Sequence, residues 1–403
     1  MRLRVTGPPL GAAVLLCAAA GAAGCGRSRD LDRAIDGGVR RAVTSPAHAP
    51  TAVRWTDVRR AAPGNDSTVL LPVGMCFAGA DLLVADAGSQ RVYRFTPEGR
   101  LAAGFGRNGE GPGEYRRISS VQCSPDGRTV LVADPGLARV TFLAPDGSYR
   151  GAVQGPPMPQ GIPYYGSFAL ANDGSWFHSW LGSKVGPFLA DAEWRAVRAV
   201  EARSPTGTPL RRFGVPFPFS GTVFRRVFNH TDLAWRADTL WVLYQAPATI
   251  VAYDRAGNAV DTLRLPVYHR GRDPVLEVGR GRLPGGYRKS RAHYYPNVGG
   301  LSAFGDAHLL TIRFRAYREV TQYSPSGSSL EFWADSYVDV IGRDGRVACS
   351  IPFPGKGRAV AGNGRAIAVL TEDLKSGDVT VLLARAPRCG GEAPGRLAAG
   401  GPA

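Results

Sequence analysis

Two stretches of this sequence repeat each other: residues 82–99 are LLVADAGSQRVYRFTPEG, and residues 130–147 are VLVADPGLARVTFLAPDG. The first stretch starts at residue 82 and the second at residue 130, 48 residues later, and the two align without a gap. A repeat of this kind indicates one supersecondary unit that the chain uses several times. The identical pairs are Val84/Val132, Ala85/Ala133, Asp86/Asp134, Gly88/Gly136, Arg91/Arg139, Val92/Val140, Pro97/Pro145 and Gly99/Gly147.

Each unit has the pattern of a small antiparallel sheet. An apolar run ends in Asp and a Gly-containing turn, and an alternating strand such as Arg91–Phe95 follows. Thr96–Gly99 then forms a Pro-acid-Gly turn, in which Pro presets the first dihedral angle and Gly takes the left-handed position. With one strand before and one after, the unit holds four antiparallel strands. Four strands in about 48 residues is the size of a propeller blade.

The same pattern recurs with more drift along the rest of the chain. We therefore predict an all-β protein, a six-bladed β-propeller of four-stranded antiparallel blades. The stretch Val53–Val58 is expected to pair with the last blade and close the ring, which would cover a sheet edge. Residues 267–296 are predicted to be the longest irregular stretch. The four later blades are assigned to residues 165–202, 240–257, 297–354 and 359–386.

The composition permits a large folded domain and argues against a nucleic-acid site. The chain has 403 residues, of which 44% are apolar, and a formal charge of +16. Nearly all the basic residues are arginines, and they are scattered in doublets such as Arg116-Arg117 and Arg225-Arg226. No helix-turn-helix, zinc-finger or RNA-binding pattern accompanies them. The sequence therefore predicts a solvated basic surface and no nucleic-acid partner.

The N-terminus predicts export. Arg2 and Arg4 precede an apolar stretch at 11–20, and Ala22-Ala23-Gly24-Cys25 follows. A basic start, a short apolar segment and small residues form a signal peptide. The sequence Ala22-Ala23-Gly24-Cys25 resembles a bacterial lipobox, which implies a lipid on Cys25. The alternative is a plain secretory signal, with Cys25 an ordinary thiol.

The predicted organisation follows from these features. We expect a protein lipid-anchored in the bacterial cell envelope, either periplasmic or surface-facing. The assigned segments are a signal peptide at 1–24, a flexible tether at 25–50, the propeller at 51–387 and a disordered tail at 388–403.

Four cysteines remain after such a cleavage: Cys76, Cys123, Cys349 and Cys389. An even number in an oxidising compartment permits two disulfides, and three pairings are possible. Cys76 and Cys123 occupy similar places in two repeats, which would bring them close in neighbouring blades. They could equally be small buried residues, so the pairing stays open.

Residues 82–153 and the linker Gly109–Tyr115 (GEGPGEY) resemble the NHL-type six-bladed propellers of the TolB-like superfamily. Bacterial lipoproteins of this type commonly carry a Gly-x-Gly-Pro-Gly-Glu-aromatic linker between blades. The resemblance implies a propeller fold and a role in binding a protein or another ligand, without a single activity. We interpret the linker as structural, because it lacks the Lys-Ser/Thr of a phosphate-binding loop.

The segments that lead into the inner strands supply the candidate binding residues. Tyrosine rings and arginine forks are enriched in binding hot spots, so we predict a binding surface for an envelope protein, a peptide or a glycan, without a cofactor. The candidate ligand-binding residues are Arg117, Tyr165, Arg226, His230 and Tyr295.

The alternative prediction is a calcium-dependent hydrolase, lactonase or lyase. Asn229, Asp232 and Asn297 could supply oxygen ligands to calcium, and His230 could act as a general base. This arrangement would resemble the calcium-dependent lactonase and arylesterase propellers. However, the sequence shows no paired histidines and no Gly-x-Ser-x-Gly motif, so we favour non-catalytic binding. A structural subunit of an envelope complex is a third possibility.

Overall fold

The computed structural model describes most of the predicted ring. It covers residues 39–42, 51–58, 69–156, 167–179, 197–216, 230–245, 247–265, 275–282, 288–294, 298–324, 327–373 and 376–389. For residues 39–42, 275–282, 288–294 and 315–335 only the backbone is described. The regular elements of this part are all strands. A helix long and apolar enough to cross a membrane is not found among these residues.

The strands are numbered in chain order. They are β1 (Val39–Ala42), β2 (Thr56–Asp57), β3 (Pro72–Ala78), β4 (Asp81–Asp86), β5 (Arg91–Phe95), β6 (Leu101–Phe105), β7 (Arg107–Asn108), β8 (Glu114–Tyr115), β9 (Ser120–Cys123), β10 (Val130–Asp134), β11 (Arg139–Leu143), β12 (Tyr149–Gln154), β13 (Ser167–Leu170), β14 (Trp176–Ser179), β15 (Val200–Arg203), β16 (Pro209–Phe213), β17 (Thr231–Arg236), β18 (Thr239–Tyr244), β19 (Thr249–Tyr253), β20 (Ala259–Arg264), β21 (Val275–Arg282), β22 (Arg288–Tyr294), β23 (Val298–Phe304), β24 (His308–Ser324), β25 (Gly327–Ile341), β26 (Val347–Phe353), β27 (Lys356–Gly362), β28 (Ala366–Glu372) and β29 (Val379–Arg385).

Six antiparallel sheets form the ring, and each has four strands at its centre. Blade 1 is β3–β6, blade 2 is β9–β12, blade 3 is β13–β16, blade 4 is β17–β20, blade 5 is β23–β26, and blade 6 is β27–β29 with β2. The first strand of each blade contacts the first strand of the next, and β27 of blade 6 contacts β3 of blade 1. The ring is therefore closed, and the predicted six-bladed β-propeller is confirmed.

The apolar runs of the repeat become the second strands of the blades, which are buried on both faces. Because side chains alternate along a strand, β4 serves two interfaces. Leu82 and Val84 pack in the cluster shared with blade 6, whereas Leu83 and Ala85 pack in the cluster shared with blade 2. A continuous apolar run in the sequence therefore corresponds to a blade held between two neighbours.

The ring is closed by a strand from the N-terminal side of the chain. β2 pairs antiparallel with β29, with Thr56 opposite Leu383. Val58 is fully buried, and its N–H donates to the Val381 carbonyl at 3.1 Å. The Trp55 indole N–H donates to the Pro352 carbonyl in blade 5 at 2.9 Å. The expected pairing of this stretch with the last blade is confirmed.

Two strands lie where the sequence predicted irregular structure, so that prediction is wrong for β21 and β22. β21 and β22 form because β24 and β25 are long, with 17 and 15 residues. β26 pairs with β25 only over Ser336–Ile341, so both long strands extend past it. Their extension offers an open edge, and β22 pairs with β24 there.

A further short strand lies in the stretch predicted as a tether. β1 pairs in parallel with β20, the outer strand of blade 4. Blade 4 thus gains a fifth strand at its outer edge.

The four cysteines form two disulfides. Cys76 in β3 is bonded to Cys123 in β9, which links the inner strands of blades 1 and 2. Cys349 in β26 is bonded to Cys389, which links blade 5 to the segment after blade 6. Of the three pairings that the sequence allowed, the structure selects this one.

Ring closure can be tested by preventing the pairing of β2. Thr56→Pro with Asp57→Pro should destabilise the protein by about 1 to 3 kcal/mol, because proline cannot donate a hydrogen bond to the sheet and leaves its acceptor unsatisfied. Chemical denaturation would measure the free energy of unfolding. Ala52→Pro, at an exposed site before the strand, is the control. Equal stability of the double variant and the wild type would show that β2 does not close the ring.

Candidate functional site

The two ends of the ring differ. At one end, turns between first and second strands touch across blade boundaries: Asn363 Nδ2 donates to the Gly79 carbonyl at 2.9 Å, and the Asp126 N–H donates to Asn172 Oδ1 at 3.0 Å. A Cβ atom at Gly127 would lie 2.6 Å from the Gly79 nitrogen, so these backbones are also close. The opposite end, where the inner strands begin, is called the mouth here, and the candidate site lies on it.

The aspartate of the repeat holds the backbone of the mouth. Asp134 is fully buried at the end of β10. Its carboxylate accepts N–H bonds from Arg116 (2.8 Å), Arg117 (3.1 Å), Gly136 (2.8 Å) and Leu137 (3.2 Å). Several backbone donors can stabilise a buried carboxylate that has no cationic partner. Asp134 therefore fixes both the turn after β10 and the segment that leads into blade 2.

Asp86 does the same in blade 1. Its carboxylate accepts the N–H of Leu71 and the N–H of Ser89, the latter at 2.9 Å. The Leu71 carbonyl in turn accepts the Ala87 N–H at 2.9 Å. Leu71 and Arg117 therefore occupy equivalent positions at the mouth, one blade apart.

The side chains at these positions project into solvent. Leu70 and Leu71 are 53% and 47% exposed, and Arg116 and Arg117 are exposed as well. Arg116 forms an ion pair with Glu110. We call Leu70, Leu71 and Arg117 the mouth patch. The other large exposed apolar side chains of the described part lie on outer strands: Tyr149, Leu210 and Val260.

The glycine-rich linker between blades 1 and 2 is held by its own side chains and by blade 2. Glu114 Oε2 accepts the N–H groups of Glu110 (3.0 Å) and Gly111 (2.8 Å). These backbone bonds lower the pKa of Glu114. Arg139, one of the repeated residues, donates to the carbonyls of Glu110, Gly111 and Glu114. The contacts support the structural interpretation of this linker.

Tyr115 ends the linker and fills the interface between blades 1 and 2. It is fully buried, and a Cβ atom at Gly106 would lie 2.7 Å from its ring. Glycine at 106 therefore leaves room for the ring, and its φ of 89° is in the region that favours glycine. Burial raises the pKa of the Tyr115 hydroxyl.

His230 and Asp232 belong to blade 4. The His230 carbonyl accepts the Gln245 N–H at 3.1 Å, which matches the bond between Leu71 and Ala87. His230 is thus at the mouth, two blades from Arg117. Asp232 Oδ2 accepts Gln245 Nε2 at 2.7 Å and the Gly300 N–H at 3.0 Å, so it ties blade 4 to blade 5. Burial raises the pKa of Asp232, although these two bonds oppose the change.

The remaining predicted site residues are not covered by the structure. In the described part, no group of three or more His, Cys, Asp or Glu side chains is arranged to hold a metal ion. This does not test the calcium site, since two of its three predicted ligands are not covered. The predicted residues outside the described part are Cys25, Tyr165, Arg226, Asn229, Tyr295 and Asn297.

A buried polar cluster lies at the interface of blades 2 and 3. His178 is 3% exposed, with the rings of Phe168 and Trp176 each 6.0 Å away between centroids. Glu201, opposite His178 on β15, forms an ion pair with Arg203 at 2.6 Å. Burial lowers the pKa of His178 to about 4. The sequence analysis did not single this cluster out, although WFHS at 176–179 combines aromatic residues and histidine on one strand.

Comparison with solved structures supports the fold. A Bacteroides fragilis protein considered to be exported has 11% identity and a TM-score of 0.50, with 87% of this chain and 99% of that one covered. A member of the DUF4221 family from Bacteroides vulgatus has 13% identity and a TM-score of 0.52, with 84% and 97% covered. At such identities the likeness concerns the fold alone.

A weaker similarity exists to virginiamycin B lyase from Staphylococcus aureus. The identity is 10% and the TM-score is 0.45, over 82% of this chain and 99% of that one, which carries no argument about activity. No family model and no curated protein matches the sequence. Fold and site thus define a six-bladed β-propeller whose mouth carries a mixed apolar and basic surface.

Asp134→Asn tests the role of the buried aspartate. An amide keeps one acceptor oxygen and replaces the other by a donor, so N–H groups of the mouth lose their partner. We expect a loss of about 2 to 4 kcal/mol in the free energy of unfolding. Asp146→Asn is the matched control, since Asp146 is exposed in a turn and accepts the Ser148 N–H. If both variants lower the free energy of unfolding by the same amount, Asp134 stabilises the protein no more than an exposed turn aspartate does.

His178 predicts an acid-sensitive stability. The pKa of His178 is lower in the folded protein than in the unfolded chain. The contribution of the neutral imidazole to stability is therefore complete above pH 6.5 and is lost as the pH falls toward 4. Between pH 6.5 and 5 the free energy of unfolding should drop by about 2 kcal/mol, because the unfolded chain binds a proton that buried His178 does not. Denaturation at several pH values would measure this.

The variant His178→Phe should show a shallower pH dependence than the wild type between pH 6.5 and 5. His308→Phe is the control, at a half-buried histidine in β24. Above pH 5 the neighbouring Glu201 stays ionised, because its arginine partners lower its pKa against the effect of burial. An unchanged slope in His178→Phe would assign the acid sensitivity to other groups.

Proposed function

We propose that this chain is an exported, lipid-anchored propeller of the NHL type that recognises a protein, peptide or glycan ligand without catalysis and without a cofactor. The observation that carries the proposal is the mouth patch. Leu70 and Leu71 are an adjacent exposed apolar pair, and Arg117 occupies the equivalent position in the neighbouring blade.

The backbone beneath the patch is held by hydrogen bonds within the propeller itself. Asp86 and Asp134 hold the two segments through buried hydrogen bonds. These bonds reduce the entropic cost of ordering the two segments when a ligand binds. Leucine side chains gain free energy when a partner covers them, and an arginine fork pairs with carboxylates in two-pronged geometry. The patch best fits an acidic peptide segment that also carries apolar side chains.

The location outside the cytoplasm has two independent supports. The signal-peptide pattern ends at Cys25, where a lipid would anchor the chain. The structure pairs Cys76 with Cys123 and Cys349 with Cys389, and stable disulfides are typical of oxidising compartments. We place the propeller in the bacterial cell envelope, facing the periplasm or the cell surface.

The calcium-dependent hydrolase, lactonase or lyase is the weaker alternative. It needs Asn229, Asp232 and Asn297 around one ion, with His230 as base. Asp232 already bonds Gln245 and Gly300 through one oxygen, and those bonds favour its role as a tie between blades. Asn229 and Asn297 lie outside the described residues.

Peptide binding tests the proposal. The probe is a fluorescent twelve-residue peptide of alternating Glu and Leu, followed by anisotropy against the purified propeller. Combining Leu70→Ser, Leu71→Ser and Arg117→Ala should weaken binding tenfold or more, since buried apolar and arginine contacts each contribute about 1 kcal/mol or more. An oligomer of Glu alone should bind more weakly than the mixed peptide.

The matched control changes the same side-chain types away from the mouth. Leu210 is 54% exposed and Arg211 is exposed on β16, the outer strand of blade 3. Leu210→Ser with Arg211→Ala should leave the affinity unchanged. Equal losses in both variants would mean nonspecific attraction to a basic surface. A higher affinity for an anionic polysaccharide such as alginate than for the peptide would indicate that the ligand is a glycan.

A further inference from the structure

The N-terminal segment leaves the ring at one particular blade. β1 runs parallel to β20, with Val39 opposite Asp261 and Ala42 opposite Arg264. β20 is the outer strand of blade 4, so β1 forms the outermost edge of that blade. β1 therefore contacts the propeller at the outer edge of blade 4.

The distance from this edge to the proposed lipid is limited by chain length. Fourteen residue steps separate Cys25 from Val39, and a chain of that length spans at most about 50 Å. Strands in a sheet are spaced by about 4.8 Å, so an outer strand lies about 14 Å beyond its inner strand. Blade 1 is three blades from blade 4, which places their outer edges on opposite sides of the ring, at least about 30 Å apart.

The charge of this region suits a membrane surface. Residues 26–42 contain five arginines (Arg27, Arg29, Arg33, Arg40 and Arg41) and three aspartates (Asp30, Asp32 and Asp36). A net positive segment near a lipid anchor is attracted to anionic headgroups.

We infer that the outer edge of blade 4, formed by β20 and β1, faces the membrane of anionic phospholipids that holds the lipid on Cys25. The ring then stands on this edge, and its axis runs along the membrane plane. Blade 1, which carries Leu70 and Leu71, lies on the far side, where it is open to ligands. This inference rests on the lipid anchor of the proposed function.

Energy transfer from the protein to the membrane tests the orientation. The lipid-processed full-length protein is inserted into vesicles of phosphatidylethanolamine and phosphatidylglycerol that carry an acceptor dye on the headgroup. A donor dye is placed on Val260→Cys in blade 4 or on Ala102→Cys in blade 1, both exposed on outer strands. The four cysteines of the described part are in disulfides, so the new thiol can be labelled selectively.

Transfer from position 260 should be at least twice as efficient as transfer from position 102. Arg40→Pro with Arg41→Pro should reduce this ratio toward one, because proline cannot donate to the pairing with β20. A ratio of one in the wild-type background, or a ratio that the proline variant leaves unchanged, would overturn the orientation while the anchor stands. Failure of the processed protein to float with vesicles would instead refute the anchor, and the orientation with it.

Discussion

The packing of each blade between two neighbours is the constraint on which the rest of this structure depends. A four-stranded blade has an apolar side chain on both faces of its second strand, as Leu82 and Leu83 show in blade 1. One blade alone would leave both faces in water, so a row of blades is stable only when the row closes on itself. Here the closing strand comes from the N-terminal side, where Val58 is buried against blade 6. The mouth exists because this ring is closed.

At the mouth, hydrogen bonds hold the backbone, whereas the side chains form the surface. Asp86 and Asp134 are the same residue in both repeats, and each holds the backbone of a segment that leads into an inner strand. The residues held at equivalent positions differ, since one is Leu71 and the other is Arg117. Because Leu71 and Arg117 are held through their backbone N–H groups, the side chain at this position can change without loss of the hydrogen bond. This arrangement allows the side chains at the mouth to vary on a fixed fold.

The candidate site could be predicted only in part. Arg117 and His230 were expected at the segments before inner strands, and the structure places both there. Leu70 and Leu71 were missed, because residue type alone predicts burial for leucine. The bond from the Leu71 N–H to Asp86, which holds this segment at the mouth, joins residues that are 15 positions apart in the sequence. The cluster around His178 was missed for a related reason. Strand pairing brings Glu201 opposite His178, and that register cannot be read from either strand alone.

By itself, the sequence determined the architecture: the repeat at 82–99 and 130–147, its turn residues and its apolar strands specify four-stranded blades, because these signals are local. Contacts between residues distant in the chain were decided only in three dimensions. Cys349 bonds Cys389 because blade 6 brings the end of the chain back to blade 5. β22 forms because β24 and β25 extend beyond their partner, and β1 forms at the edge of β20. Each of these depends on which edge or side chain the closed ring leaves available, and that is a property of the assembled fold.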